Sequence, residues 1–180
     1  MSEFQVGWEI PTGTNGAVLK RFNVVRSRGV WNISRTHRVE CCMPNWNAPI
    51  IEEFRANDGK VGGYFAGAPI VLVHHRGRKS DREFVTPMMY LADEQSDTIY
   101  VFASKAGAPT NPDWYLNLVS AGRGEVEVGL ETYPVTVRDL AGEERDRVYA
   151  EQARRYPGFA EYETKTAGIR TIPVLALNRA

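Results

Sequence analysis

The chain has 180 residues, with 22 Lys plus Arg against 22 Asp plus Glu, so its formal net charge is zero. Hydrophobic residues make up 43% and aromatics 11%, ordinary values for a globular domain large enough to bury a core without staples. Charge neutrality excludes a general nucleic-acid or polyanion binder, which needs a basic excess, but leaves room for a local basic site.

The start, Met1-Ser2-Glu3-Phe4-Gln5, lacks the basic and apolar regions of a leader. The apolar stretch from Tyr64 to Val73 is too short to span a bilayer. Cys41 and Cys42 are adjacent and have no other cysteine to pair with. A cytoplasmic setting is therefore expected, with no metal site. Residues 1–48 read as an irregular, basic extension. Lys20, Arg21, Arg26, Arg28, Arg35 and Arg38 fall there without an intervening acid. Residues 16–28 have the spacing of an amphipathic helix, with Val18, Leu19, Phe22 and Val25 on one side. Such a basic face suits either packing on a core or peripheral contact with an anionic membrane, here the inner face of the cell membrane.

From residue 49 the pattern is regular. A short helix is expected over 49–57, begun by Pro49. Strands follow at 69–75, 84–92 and 98–104. A helix opens at Asn111-Pro112, with Asn111 as its cap, and runs to about Ser120. Residues 125–130 and 133–139 alternate as a hairpin around Glu131-Thr132. Helices over 142–155 and 158–166 precede a last strand at 171–177. Strands in mostly hairpin order with a few helices predict an antiparallel α+β barrel occupying residues 49–180. No glycine-rich dinucleotide fingerprint or P-loop is present.

Three segments have residue types suited to chemistry. Arg76-Gly77-Arg78-Lys79-Ser80-Asp81-Arg82 places four cations between two apolar strands, a set that matches phosphate or carboxylate. Ser104-Lys105-Ala106-Gly107 lies at a strand end, ahead of a helix N-terminus whose N–H groups favour anions. That helix holds Trp114, Tyr115 and Asn117. Tyr156, Phe159 and Tyr162 are spaced to share one face and include two phenols. His74 and His75 end a strand, so one faces in and the other out.

In this order the segments resemble the deazaflavin-dependent nitroreductase family of actinobacterial oxidoreductases. The matching residues are Gly77-Arg78-Lys79-Ser80, Pro87, Ala103-Ser104-Lys105 with Gly107, Asn111-Pro112 followed by Trp114-Tyr115 and Asn117-Leu118, Tyr156-Pro157, and Arg170-Thr171-Ile172-Pro173-Val174. The resemblance extends from about Ile50 to the C-terminus. It implies a split β-barrel that binds coenzyme F420, a deazaflavin with a phosphate and an oligoglutamate tail. It implies tail-binding roles for Arg78, Lys79, Ser80 and Lys105, with Arg82 as a further tail cation. Pro87 and Met88 would lie along the ring, and Ser104, Ala106, Trp114 and Asn117 beside the cofactor. Tyr156 and Tyr162 would face the substrate, with Ser104 completing the catalytic set.

The sequence departs from the family pattern at three places. Asp81 stands where a glycine is usual, Phe84 where an arginine is common, and Phe159 where a tyrosine is. The expected activity is hydride transfer from reduced coenzyme F420 to an electron-poor quinone, enone or nitro compound. The competing expectations are an FMN oxidoreductase of the same fold and a non-catalytic deazaflavin carrier. Exposed strand edges make a homodimer an expectation as well.

Overall fold

The computed structural model describes Val25–Ser27, Val30–Asn32 and residues 47–180. The chain divides into two units, residues 1–43 and 44–180. In the first, β1 (Val25–Ser27) and β2 (Val30–Asn32) pair antiparallel, with Val25 opposite Asn32. This corrects the expected helix over 16–28 at its end. Paired Val25, Val30 and Trp31 are β-branched or aromatic types that favour a strand. The rest of that helix, the cysteine pair and most of the basic run lie outside the described residues.

The second unit is built on six strands: β3 (Ile70–Arg76), β4 (Glu83–Ala92), β5 (Thr98–Phe102), β6 (Arg123–Val128), β7 (Glu131–Asp139) and β8 (Val174–Arg179). They close into an antiparallel barrel in the order β3-β4-β5-β8-β7-β6, with β6 returning to β3. Every strand of the barrel is paired on both sides. The expected free strand edges are therefore absent from it, and a homodimer cannot be argued from edges.

Side-chain alternation explains the packing. Val71 and Val73 of β3, Ile99 and Val101 of β5, and Leu175 and Leu177 of β8 point into one buried cluster, joined by Val126 and Val135. Their neighbours point outward and are also covered. Phe102, Val174 and Ala176 pack under α3 (Gly142–Arg155) and α4 (Gly158–Thr166). Ile70 and Leu72 pack with Phe54 of α1 (Ala48–Ala56). Burial on both faces is why these strands read as continuous apolar runs. The remaining helix, α2 (Asp113–Ala121), lays Leu118, Trp114 and Tyr115 on the barrel cluster.

The strand expected over 98–104 ends at Phe102, and three other boundaries differ for reasons the structure shows. The β6–β7 turn is Gly129-Leu130, because Val128 pairs with Glu131 and Gly129 takes a positive φ of 59°. Pro173 cannot donate to a ladder, so β8 starts at Val174, while the Pro173 carbonyl accepts from Ala103. Pro112, not Asn111, occupies the cap position of α2. The Asn111 side chain is drawn instead to Arg170. No helix among the described residues is long and apolar enough to cross a membrane.

Candidate functional site

The β3–β4 loop is the cationic segment, and its backbone is tightly wound. Gly77 N–H donates to the Arg82 carbonyl at 2.8 Å, and Asp81 N–H donates back to the Gly77 carbonyl at 2.7 Å. A Cβ at Gly77 would stand 2.5 Å from Ser80 Oγ and 3.0 Å from the Phe84 ring, so a side chain there would have to displace Ser80. Asp81 adopts a positive φ of 52° at the position where the family pattern has glycine. The loop therefore has the glycine-type backbone without the glycine, at a conformational cost that Asp tolerates better than most residues.

The four cations separate. Arg76 is taken up by Glu83 at 2.6 Å and by Asp81 at 3.4 Å. Arg82 lies over the Phe84 ring at 5.9 Å. Arg78 and Lys79 are exposed and have no carboxylate partner among the described residues.

These side chains edge a cavity of about 920 Å³. Arg78, Lys79, Ser80 and Arg82 give it a polar, cationic part of its lining. Trp114, Phe84, Val85 and Ile51 supply apolar and aromatic wall, with His75, Thr86 and Asn117 between. Asn47, Ile51 and Arg55 of the α1 segment form a wall the sequence did not suggest. Arg55 is fastened there by Glu127, which also meets His74 Nε2 at 2.6 Å. Those two contacts, Arg55 first, hold the Glu127 carboxyl below the usual carboxylate range.

Asn117 is buried and fully engaged. Its Oδ1 accepts from the Arg78 backbone N–H at 3.0 Å, and its Nδ2 lies 3.1 Å from His75 Nδ1. His75 Nε2 reaches Thr86 Oγ1 at 3.1 Å. Sequence reasoning placed Asn117 beside a ligand and gave His75 no role. A link between residues so far apart in the chain leaves no local signal.

The other expected site residues gather elsewhere. Lys105, Ala106 and Gly107 form a left-handed turn with φ of 47°, 53° and 81°. Lys105 Nζ donates to Thr110 Oγ1 at 3.1 Å. Arg170 holds this segment by donating to the carbonyls of Ala103, Ser104 and Ala108 and to Asn111 Oδ1, at 2.8–3.2 Å. Helix α4 covers the turn. A Cβ at Gly107 would meet Lys165 at 2.9 Å and the Tyr162 backbone at 3.5 Å. Tyr156 and Tyr162 are half-buried against the second core cluster, and Phe159 is inside it. Pro87 and Met88 lie on β4 opposite Leu72 and Val71. None of Pro87, Met88, Ser104, Lys105, Ala106, Tyr156 and Tyr162 lines the 920 Å³ cavity. Helix α2 joins the two groups: its leading loop carries the strained turn, and its own Trp114 and Asn117 reach the cavity. Among the described residues no three His, Cys, Asp or Glu side chains converge as a metal requires.

A ligand with an anionic part and a planar part matches the lining: unpartnered cations together with aromatic and aliphatic surface. Comparison with known proteins agrees. The F420H(2)-dependent quinone reductase Rv1261c of Mycobacterium tuberculosis (strain H37Rv) is 32% identical over 133 residues, 70% of this chain and 85% of that one. A solved F420-H2 dependent reductase, FDR-A, is 36% identical, with a TM-score of 0.55 over 61% of this chain and 94% of its own. A second solved chain, described as a domain-swapped dimer, is 32% identical, with a TM-score of 0.57 over 74% and 97%. Residues 49–179 match the profile of the F420H(2)-dependent quinone reductases, and the chain belongs to that family of oxidoreductases, whose cofactor is coenzyme F420.

Proposed function

We propose that this chain transfers a hydride from reduced coenzyme F420 to a quinone. The observation that supports this most is the cavity that Arg78, Lys79, Arg82 and Trp114 line together. When bound, the reduced deazaflavin supplies the hydride. The protein's part is to hold and orient. In this reading Arg78, Lys79, Ser80 and Arg82 bind the anionic tail. Thr86 and Trp114 flank the ring, and Asn117 keeps the Arg78 backbone in place. Lys105 lies outside that cavity, so the tail role expected for it is given up; Ser104, Lys105 and Ala106, held by Arg170, together with Tyr156 and Tyr162, form the acceptor side, where a phenol Oη delivers the proton.

Titration of the purified protein with coenzyme F420 and separately with FMN tests the reading. Lys79→Ala should weaken F420 binding by about 1–3 kcal/mol if the ammonium meets tail anions directly. Tight FMN binding without F420 binding would overturn the cofactor assignment. Tight F420 binding with no oxidation of its reduced form by a quinone panel would make the protein a carrier. Tyr162→Phe should lower turnover with little loss of cofactor.

The proposal extends to assembly and location. The domain-swapped relative supports a homodimer, which sedimentation equilibrium tests. The basic run from Lys20 to Arg38 supports peripheral contact with anionic membrane, read by flotation with liposomes containing anionic lipid.

A further inference from the structure

His75 is 8% exposed, on β3 at the root of the cationic loop. Its hydrogen bonds fix its protonation without reference to any ligand. The Arg78 backbone N–H can only donate, so the Asn117 atom facing it is Oδ1. Asn117 therefore turns Nδ2, a donor, toward His75 Nδ1. Nδ1 must be the bare, accepting nitrogen. The ring proton then sits on Nε2 and is donated to Thr86 Oγ1. The ring is further held by stacking on Phe84, with centroids 5.6 Å apart and planes at 19°. One uncharged imidazole thus connects β4, β3 and α2 to the backbone of Arg78.

We propose that His75 is a positioning residue for the anion-binding loop: its neutral ring orients Asn117, and Asn117 anchors Arg78. This rests on reading the loop as the site of the cofactor's anionic tail. An imidazolium would carry a proton on Nδ1 and face the Asn117 amide donor to donor. Turning that amide over would satisfy Nδ1 but set Nδ2 against the Arg78 N–H. Either way one link is lost: the first leaves Asn117 without its His75 support, and the second releases Arg78 from helix α2.

Burial and the neighbouring His74 favour the neutral ring. Lining the same space are Arg55 of α1; Arg78, Lys79 and Arg82 of the loop; Glu83 of β4; and Asp113 of α2. Arg76 and His74 adjoin it on its own strand, with Glu127 behind His74, and Asp81 of the loop with Arg123 and Glu125 of β6 line a second hollow that His75 borders. Four arginines or lysines outnumber two carboxylates around the 920 Å³ cavity. Burial first, then the charge of His74, lowers the His75 pKa from the usual value.

The test uses the full-length protein and coenzyme F420 as the probe, titrated calorimetrically from about pH 7.5 to about pH 5. His75→Gln retains an acceptor for Asn117 and a donor for Thr86 but does not titrate. Its profile therefore contains whatever His74 and the ligand's own ionisation contribute. The ratio of wild-type Kd to His75→Gln Kd should lie near one at the alkaline end and rise about tenfold at the acid end. His75→Phe, which keeps the stack and loses both hydrogen bonds, should bind weakly throughout. In the free protein, exchange protection of the Arg78 amide should fall with acid in wild type and persist in His75→Gln.

A ratio that stays flat would overturn the proposal. So would a falling ratio, which would mean that added positive charge outweighs lost anchoring. Arg78 protection that ignores His75 protonation would overturn it as well. If no form binds coenzyme F420, the reading of the site fails, while amide exchange still decides the role of His75.

Discussion

Asp81, a left-handed residue, shows how the cationic loop keeps a glycine-type backbone without a glycine, at a small cost in strain. Its φ of 52° is one that glycine adopts freely and Asp adopts under strain of about 1 kcal/mol. Its carboxylate is exposed and only loosely paired with Arg76, so that contact adds little. Asp81→Gly should therefore raise stability slightly and tighten F420 binding about two- to fivefold by removing a negative charge near the tail. The tightening should shrink in high salt. Equal affinities for the variant and wild type at low ionic strength would show that the tail does not pass this residue. Phe84 also shapes this loop, since it supplies a ring for His75 and Arg82 to lie against.

Among the elements, the 103–111 segment depends most on one side chain. Arg170 donates to four oxygens in it, and the three consecutive positive φ angles of Lys105, Ala106 and Gly107 would not persist unsupported. Arg170→Ala should destabilise the protein by about 2–4 kcal/mol in urea unfolding. Arg170→Lys should recover little, because a point charge cannot reach the same fork of acceptors. On α3, the fully buried Gln152 amide has no partner among the described residues. Gln152→Met keeps its length and should raise stability by about 1–2 kcal/mol, read as a higher Tm. Periodicity made most of these elements legible in the sequence: α3 and α4 lie where their pattern places them. The errors have local causes. Pro173 and Gly129 moved strand boundaries, and Arg170 took Asn111 away from the helix cap. The cationic loop and Trp114 were visible as residue types in a recognisable order. The α1 wall was not, because Ile51 in an amphipathic helix looks the same whether it faces a core or a cavity. Nor was the Thr86–His75–Asn117–Arg78 link, which forms only when two strands and a helix converge.

At the scale of the molecule, α1 is held to the barrel by Phe54 in its core cluster and by the Arg55–Glu127–His74 cluster. Because the folded state lowers the Glu127 pKa from 4.5, the stability it adds is complete above that value. It is lost as pH falls through the lowered value. Glu127→Gln should remove that part of the acid dependence and loosen α1, observable as amide exchange in residues 48–56 that is faster than in wild type above about pH 5, with the difference shrinking in acid. The zero net charge of the whole chain conceals this uneven placement: paired cations fasten elements, and the unpaired Arg78 and Lys79 face the cavity. The closed barrel has a further consequence, for the order of assembly. β8 inserts between β5 and β7, and its Asn178 pairs with Thr98, 80 residues earlier. Until β8 docks, β5 and β7 are two open templates with apolar inner faces. Any kinetic intermediate lacking it is able to accept a strand from another chain. Refolding yield should therefore fall with protein concentration, and a synthetic peptide of the β8 sequence, added in excess during refolding, should compete for that slot.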